Sequence, residues 1–266
     1  MDRHTIDDVA ERLFIARRQS PPLVSLPPSR RPATLAEAYD VQNALHAKQL
    51  WGGKSQLAGW KIGCTNKVLQ DLLKIPYPAA GGILAENIHH SGADLPFGRF
   101  ACVGIECEIA FELGEELPID TTPWIQARLA DRIAACMAAI EVVDNRYGDF
   151  RTVGAPTMIA DDFFQAAVVL GHRHTNWRDA DLVNLAAATF IDGQEVGHGQ
   201  GVDIMGHPLE PLVWLANSLA GRGQGLRRGD IVLTGSMVAV HWPQAPCSVH
   251  IENSAFGRVS LALSGA

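Results

Sequence analysis

Gly104-Ile105-Glu106-Cys107-Glu108-Ile109-Ala110-Phe111 (GIECEIAF) sets two carboxylates two residues apart inside an apolar run. Read as a strand, the run places side chains at i and i+2 on one face. Glu106 and Glu108 then stand side by side, and Glu112 continues their face. Ile105, Cys107, Ile109 and Phe111 line the other face. Two parallel negative charges in such a strand either face water or share a cation. A shared cation of the Mg²⁺ or Mn²⁺ type needs at least one further oxygen ligand from elsewhere in the chain.

Composition narrows the setting. At 266 residues, 47% hydrophobic and 19% charged, the chain is long enough to bury a large core. It carries 29 acidic against 22 basic residues, a formal charge of −7, and no long basic run. This argues against a nucleic-acid partner and against an anionic membrane surface. No apolar stretch approaches the roughly 20 residues of a membrane span. The charged N-terminus MDRHTIDDVAERLF does not read as a secretory signal. Five cysteines without a C-x-x-C pair read as reduced thiols of a cytoplasmic protein.

Outward from the opening strand, the chain divides by texture. Thr5-Ile6-Asp7-Asp8 and Thr34-Leu35-Ala36-Glu37 have capping-box form. They predict one helix near the N-terminus and a second running to about Trp51, ending at Gly52-Gly53. Between them, five prolines from Ser20 to Pro32 predict an extended connector. From Leu57 onward short apolar runs bounded by Gly and Pro predict strands: LAGWKIGC, GGILAENI, FACVGIECEIAFEL, QAAVVLG, AAATFIDGQEV, DIVLTGSMVAV, CSVHIEN and RVSLAL. Apolar residues at 129, 133, 136, 137 and 140 predict a helix over about 124–140, and a second interrupting helix starts at Pro208 with Gly221 just past its end. The fold class is α+β, with an N-terminal helical region over 1–55 and a β-rich catalytic domain over 56–266.

Three further places carry chemistry. Glu141 lies between Ala138-Ala139-Ile140 and Val142-Val143, residues that favour burial, so its carboxylate needs a partner. That partner is either Arg146 or a cation shared with Glu106 and Glu108. Lys61, in Gly59-Trp60-Lys61-Ile62-Gly63, is either a snorkelling surface lysine or an ammonium that meets a substrate carboxylate or transfers a proton. The glycine-rich segment 197–208 ends at a predicted helix start, and Leu233-Thr234-Gly235-Ser236 is a strand entering a turn. Ser236 has no His–Asp pattern near it, so ligand hydrogen bonding is a better role than nucleophile.

As a set and in this order, GWKIG (59–63), GIECEIAF with Leu113-Gly114 and Leu117-Pro118, AIEVVDNR (139–146), GHPLEPLVWLAN (206–217) and LRRGDIVLTGS (226–236) resemble the 2-keto-4-pentenoate hydratases and the related 4-oxalocrotonate decarboxylases of the fumarylacetoacetate hydrolase superfamily. The resemblance spans about residues 5–262. It implies a mixed β-roll core of the fumarylacetoacetate hydrolase C-terminal type, assembly into a homo-oligomer, and one Mg²⁺ or Mn²⁺ per subunit. The family's metal carboxylates fall on Glu106, Glu108 and Glu141, and its acid–base or substrate-binding lysine on Lys61. Gly206, His207, Thr234 and Ser236 fall in segments resembling the substrate pocket.

The implied activity is hydration of 2-hydroxypenta-2,4-dienoate-like or 2-oxo acids from aromatic meta-cleavage catabolism. Its alternatives are 4-oxalocrotonate-type decarboxylation, acylpyruvate hydrolysis or the role of a non-catalytic partner subunit. Two segments depart from the family pattern. Pro78-Ala79-Ala80-Gly81 lacks an acidic residue found in P-D-F-G, and Ala160-Asp161-Asp162-Phe163-Phe164-Gln165 puts phenylalanines where A-D-N-A-S-S has serines.

Overall fold

In the computed structural model, which describes residues 1–19, 24–119 and 122–265, the alternating run at 104–111 does form a strand. The chain begins with helices α1 (Arg3–Ala16) and α2 (Leu35–Gln49), then β1 (Leu57–Gly63), α3 (Lys67–Leu73), β2 (Ala79–Leu84), β3 (Ile88–His90), β4 (Ala93–Pro96) and β5 (Val103–Leu113). Next come α4 (Gln126–Ala130), β6 (Ile133–Asp144), α5 (Ala155–Ala160) and β7 (Gln165–Leu170). The last part holds β8 (Ala186–Ile191), β9 (Gln194–Gln200), α6 (Leu209–Ala220), β10 (Ile231–Leu233), β11 (Cys247–Asn253) and β12 (Gly257–Ser264). Among the described residues no helix is long and apolar enough to cross a membrane.

The strands form a seven-stranded mixed sheet, β2-β1-β10-β5-β6-β7-β3, and a five-stranded sheet, β4-β12-β11-β8-β9. The larger sheet rolls until β2 lies beside β7. Its outer face, with Ile105, Cys107, Ile109 and Phe111, shares a core with Val249, Ile251, Val259 and Leu261 of the smaller sheet. Its inner face packs Ile83, Ala110, Met137, Ala139, Val168, Leu170 and Leu233 against one another inside the roll.

Burial of both faces accounts for the main correction to the sequence reading. The helix expected over 124–140 is only the short α4, and Ile133 to Asp144 is a twelve-residue strand that includes Cys136. A strand buried on both faces shows no alternation, and its run of Ala and Ile fits helical spacing equally well. Two smaller corrections concern helix starts and the connector. Helix α1 starts earlier than Thr5, because Asp2 Oδ1 accepts the Thr5 N–H at 2.8 Å. Of the expected extended connector, Ser20–Leu23 lies outside the described residues, and Pro28–Arg30 forms a 3₁₀ turn. Thr34 does cap α2, accepting from Glu37 N at 3.2 Å, and α6 ends at Gly221 as expected.

The two N-terminal helices pack through Val9, Ala10 and Leu13 on Val41 and Leu45, with Ala160 of α5 joining them. Polar ties then fasten this layer to the roll. Gln42 Nε2 donates to Ala80 O on β2 at 2.9 Å and to Ile159 O on α5 at 2.8 Å. Arg17, capping α1, donates to Asp161 Oδ1 at 2.6 Å and pairs with Asp162 Oδ2 at 3.0 Å. Arg146, three per cent exposed, donates to the other Asp161 oxygen at 2.8 Å and to the Gln165 and Asp161 carbonyls. His46 and the Gly82 N–H complete the set on Asp162 Oδ1, at 2.7 and 2.8 Å.

Removing one partner of a buried ionic cluster leaves uncompensated charge and costs about 3–5 kcal/mol. Asp161→Ala strips the shared partner from Arg17 and Arg146. A urea titration should show a loss of that size, and a loss below about 1 kcal/mol would mean the cluster does not hold the helices to the roll.

Candidate metal centre

Antiparallel pairing of β5 with β6 sets Glu106 directly opposite Glu141, with Glu108 opposite Ala139. All three carboxylates therefore project into the roll, and their oxygens lie within 4.8 Å of one another. Glu141 comes from the middle of a strand, where its neighbours Ala139 and Met137 continue the inner face toward an apolar floor. Glu108 and Glu141 are fully buried, while Glu106 is partly exposed and marks the open side.

Lys61 reaches the cluster from β1, whose register pairs it with Leu233 of β10. Its Nζ lies 3.1 Å from Glu141 Oε2, and it is one of the largest fully buried side chains among the described residues. One branch of each alternative left open by the sequence is thereby removed. Lys61 is not a surface lysine, and Arg146 pairs with Asp161 rather than with Glu141. Thr234 and Ser236 are used internally. Thr234 Oγ1 donates to Ile109 O at 3.3 Å, while Ser236 Oγ accepts from Cys107 N at 3.1 Å and donates to Val238 O at 2.6 Å. Both hydroxyls thus pin the turn to β5, and it is the Gly235 N–H between them that meets the cluster, donating to Glu108 Oε2 at 2.8 Å. Gly235 has φ +101° and lies against Thr65, so a side chain there would strain the turn and strike Thr65. Gly206 and His207 lead into α6. The His207 ring accepts from Leu209 N at 3.0 Å, and its charged neighbours are Glu210 and Asp181 rather than the carboxylate cluster.

The electrostatics follow from burial. Glu141 is pushed up to about 8, first by desolvation and then by Glu106, against the lowering effect of Lys61. Glu108 is raised well above the usual carboxylate range, first by burial and then by Glu141 and Glu106. For Lys61 burial works downward, but the charges of Glu141, Glu106 and Glu108 outweigh it and hold the ammonium above its ordinary range. Burial pushes the nearby Cys64 thiol up to about 12, which keeps it protonated and unreactive.

Glu108 Oε1 and Glu141 Oε1 accept no hydrogen bond among the described residues, and Glu141 Oε2 has the Lys61 ammonium as its ion-pair partner. Buried carboxylate oxygens without donors are costly. Three carboxylates and one ammonium leave an excess of two negative charges. The residues present fit a divalent cation with oxygen ligands.

Sequence reasoning missed three features. One is the Gly235 amide. Another is Phe163, whose ring centroid lies 5.3 Å from Lys61 Nζ. The third is the Asp161–Asp162 ionic cluster behind that ring. The family pattern singled out segment 160–165 as bulky phenylalanines replacing serines that would touch substrate, but not the contact of Phe163 with Lys61.

Residues 85–257 match the family model described as Fumarylacetoacetate (FAA) hydrolase C-terminal. The chain is 31% identical over 264 residues to a 2-keto-4-pentenoate hydratase of Paraburkholderia phymatum, spanning 98% of this chain and 99% of the relative. It is 28% identical over 264 residues to a 2-oxo-hept-4-ene-1,7-dioate hydratase of Escherichia coli, spanning 97% and 98%. Among solved structures it is similar to the 4-oxalocrotonate decarboxylase from Pseudomonas putida G7 complexed with magnesium and adipate. The TM-score is 0.84 at 21% identity, over 98% of each chain.

Burial pushes Glu141 up to about 8 in the fold, from an ordinary value of 4.5, so the folded state holds a proton that the unfolded chain releases. Its contribution to stability is complete below the unfolded value and lost as pH rises through the folded one. In chelating buffer, wild type should lose stability relative to Glu141→Gln between about pH 5 and about pH 8. Thermal melts of the two proteins check this, and a pH-independent difference would contradict it.

Proposed function

The chain belongs to the fumarylacetoacetate hydrolase family, within its 2-keto-4-pentenoate hydratase group, and we propose that it is a divalent-metal-dependent lyase that hydrates a 2-hydroxydienoic acid. The observation that carries this reading is the set of three carboxylates within 4.8 Å of one another inside the roll, facing a buried lysine. Glu106, Glu108 and Glu141 would hold Mg²⁺ or Mn²⁺, with the Gly235 N–H fixing the Glu108 carboxylate. A divalent ion there supplies Lewis-acid stabilisation of the enolate developing at the 2-oxo position of the substrate.

The chain's own residues do the rest. Lys61 keeps its ammonium charged beside the cluster, so it can neutralise the substrate carboxylate or deliver the proton that ketonises the dienol at C5. Protonation at C5 makes C4 electrophilic, and water adds there to give a 4-hydroxy-2-oxo acid. Ala110, Met137 and Leu233 floor the site and keep bulk water from the buried side of the carboxylates. The same enolate could accept the electrons released by loss of CO₂, so the product decides between hydration and decarboxylation.

Isothermal titration should detect Mg²⁺ or Mn²⁺ binding that weakens at least about tenfold in Glu106→Gln. Unchanged binding would favour a non-catalytic scaffold. Lys61→Met should lower kcat by about 10²–10⁴ while leaving metal binding in place. Decay of diene absorbance without CO₂ release reads hydration, and decay with CO₂ release would reassign the enzyme to decarboxylation.

A further inference from the structure

Asp162, Phe163 and Phe164 have φ of 50°, 50° and 71°, three consecutive non-glycine residues in the left-handed region. Each such residue costs roughly 1–2 kcal/mol, so a run of three persists only where its surroundings over-determine it. The surroundings are the ionic cluster on Asp161 and Asp162 and the tilted and edge-on ring contacts of Phe164 with Tyr147 and Phe150. The product of this strain is the position of one ring. Phe163 stands over Lys61 Nζ and packs against Gly63, where a Cβ would approach the ring to 2.6 Å. On the other flank of the cluster, one pleat beyond Glu106, a Cβ on Gly104 would meet Val143, Trp242 and Val240 at 2.8–2.9 Å. The space over the carboxylates is thus bordered by apolar groups on both sides.

Charge points the same way. Three carboxylates, Lys61 and a divalent ion sum to zero, and one substrate carboxylate takes the site to a single negative charge. The arginines behind Phe163 are already committed, Arg17 to Asp161 and Asp162 and Arg146 to Asp161. A second substrate carboxylate on this side would meet the Phe163 ring and arginines already paired with Asp161 and Asp162, and an unpaired charge in such a setting is strongly disfavoured.

Resting on the 2-oxo acid reading above, we propose that Phe163 is a specificity-determining residue: it walls the site so that the enzyme takes monocarboxylic 2-hydroxydienoic or 2-oxo acids with an apolar tail and rejects those ending in a second carboxylate. The test is calorimetric binding of three unreactive 2-oxo acids to the Mg²⁺-loaded protein. Pyruvate reports the common head group, while 2-oxopentanoate and 2-oxoglutarate have equal chain length and differ at the far end. Wild type should bind 2-oxopentanoate at least about tenfold more tightly than 2-oxoglutarate. Phe163→Ser should shrink that ratio several-fold with pyruvate affinity held within about twofold, and Phe163→Leu, which keeps an apolar wall, should retain it. Equal or tighter binding of 2-oxoglutarate by wild type, with pyruvate still bound, would overturn the tail assignment alone. An unchanged ratio in a folded Phe163→Ser protein would remove Phe163 from the role. Failure of wild type to bind pyruvate would instead overturn the 2-oxo acid reading, and this inference with it.

Discussion

The hydrogen-bonded register of β5 against β6 is the constraint from which the site follows, because it forces Glu106 and Glu141 to face each other across one pair of strands. Directly opposed like charges destabilise a sheet even at a surface, and here the pair points into an apolar roll. The fold answers with one ammonium and one backbone amide, Lys61 on Glu141 Oε2 and Gly235 on Glu108 Oε2, and leaves the other oxygen of each of these buried carboxylates without a donor among the described residues. The protein alone does not balance this charge. A stable metal-free roll must keep protons on its carboxylates, whereas a metal-loaded one need not.

The second interior charge system works differently. Asp161, Asp162, Arg17 and Arg146 balance one another and come from three separate segments: the end of α1, the end of β6 and the turn after α5. Its role is geometric. It holds a left-handed turn that unaided backbone preferences would abandon, and so delivers Phe163 to Lys61. One cluster carries unbalanced charge, and the other is balanced and holds shape.

Local signals carried much of this in the sequence. The alternation at 104–111 showed the strand and both its faces, Thr34 showed a helix start, and Pro208 and Gly221 bracketed α6. Glu141 was singled out for a sound reason, its apolar setting, although its element was misread, because a strand buried on both faces lacks the period that identifies it. The Asp161 contacts span 144 residues to Arg17 and 15 to Arg146, and no local pattern reports such separations. The hydroxyls of Thr234 and Ser236 looked available for ligand in sequence, yet a turn pinned to β5 consumes them.

The two segments where the chain departs from its family, 78–81 and 160–165, touch each other in the structure. A Cβ on Gly81 would lie 2.3 Å from the Asp162 carbonyl oxygen, and the neighbouring Gly82 N–H donates to the Asp162 carboxylate. The small residues of β2 and the bulky turn opposite are therefore one matched unit split across the chain. A side chain at 81 would require the turn at 162 to move, so these two segments, far apart in the sequence, can be redesigned only together.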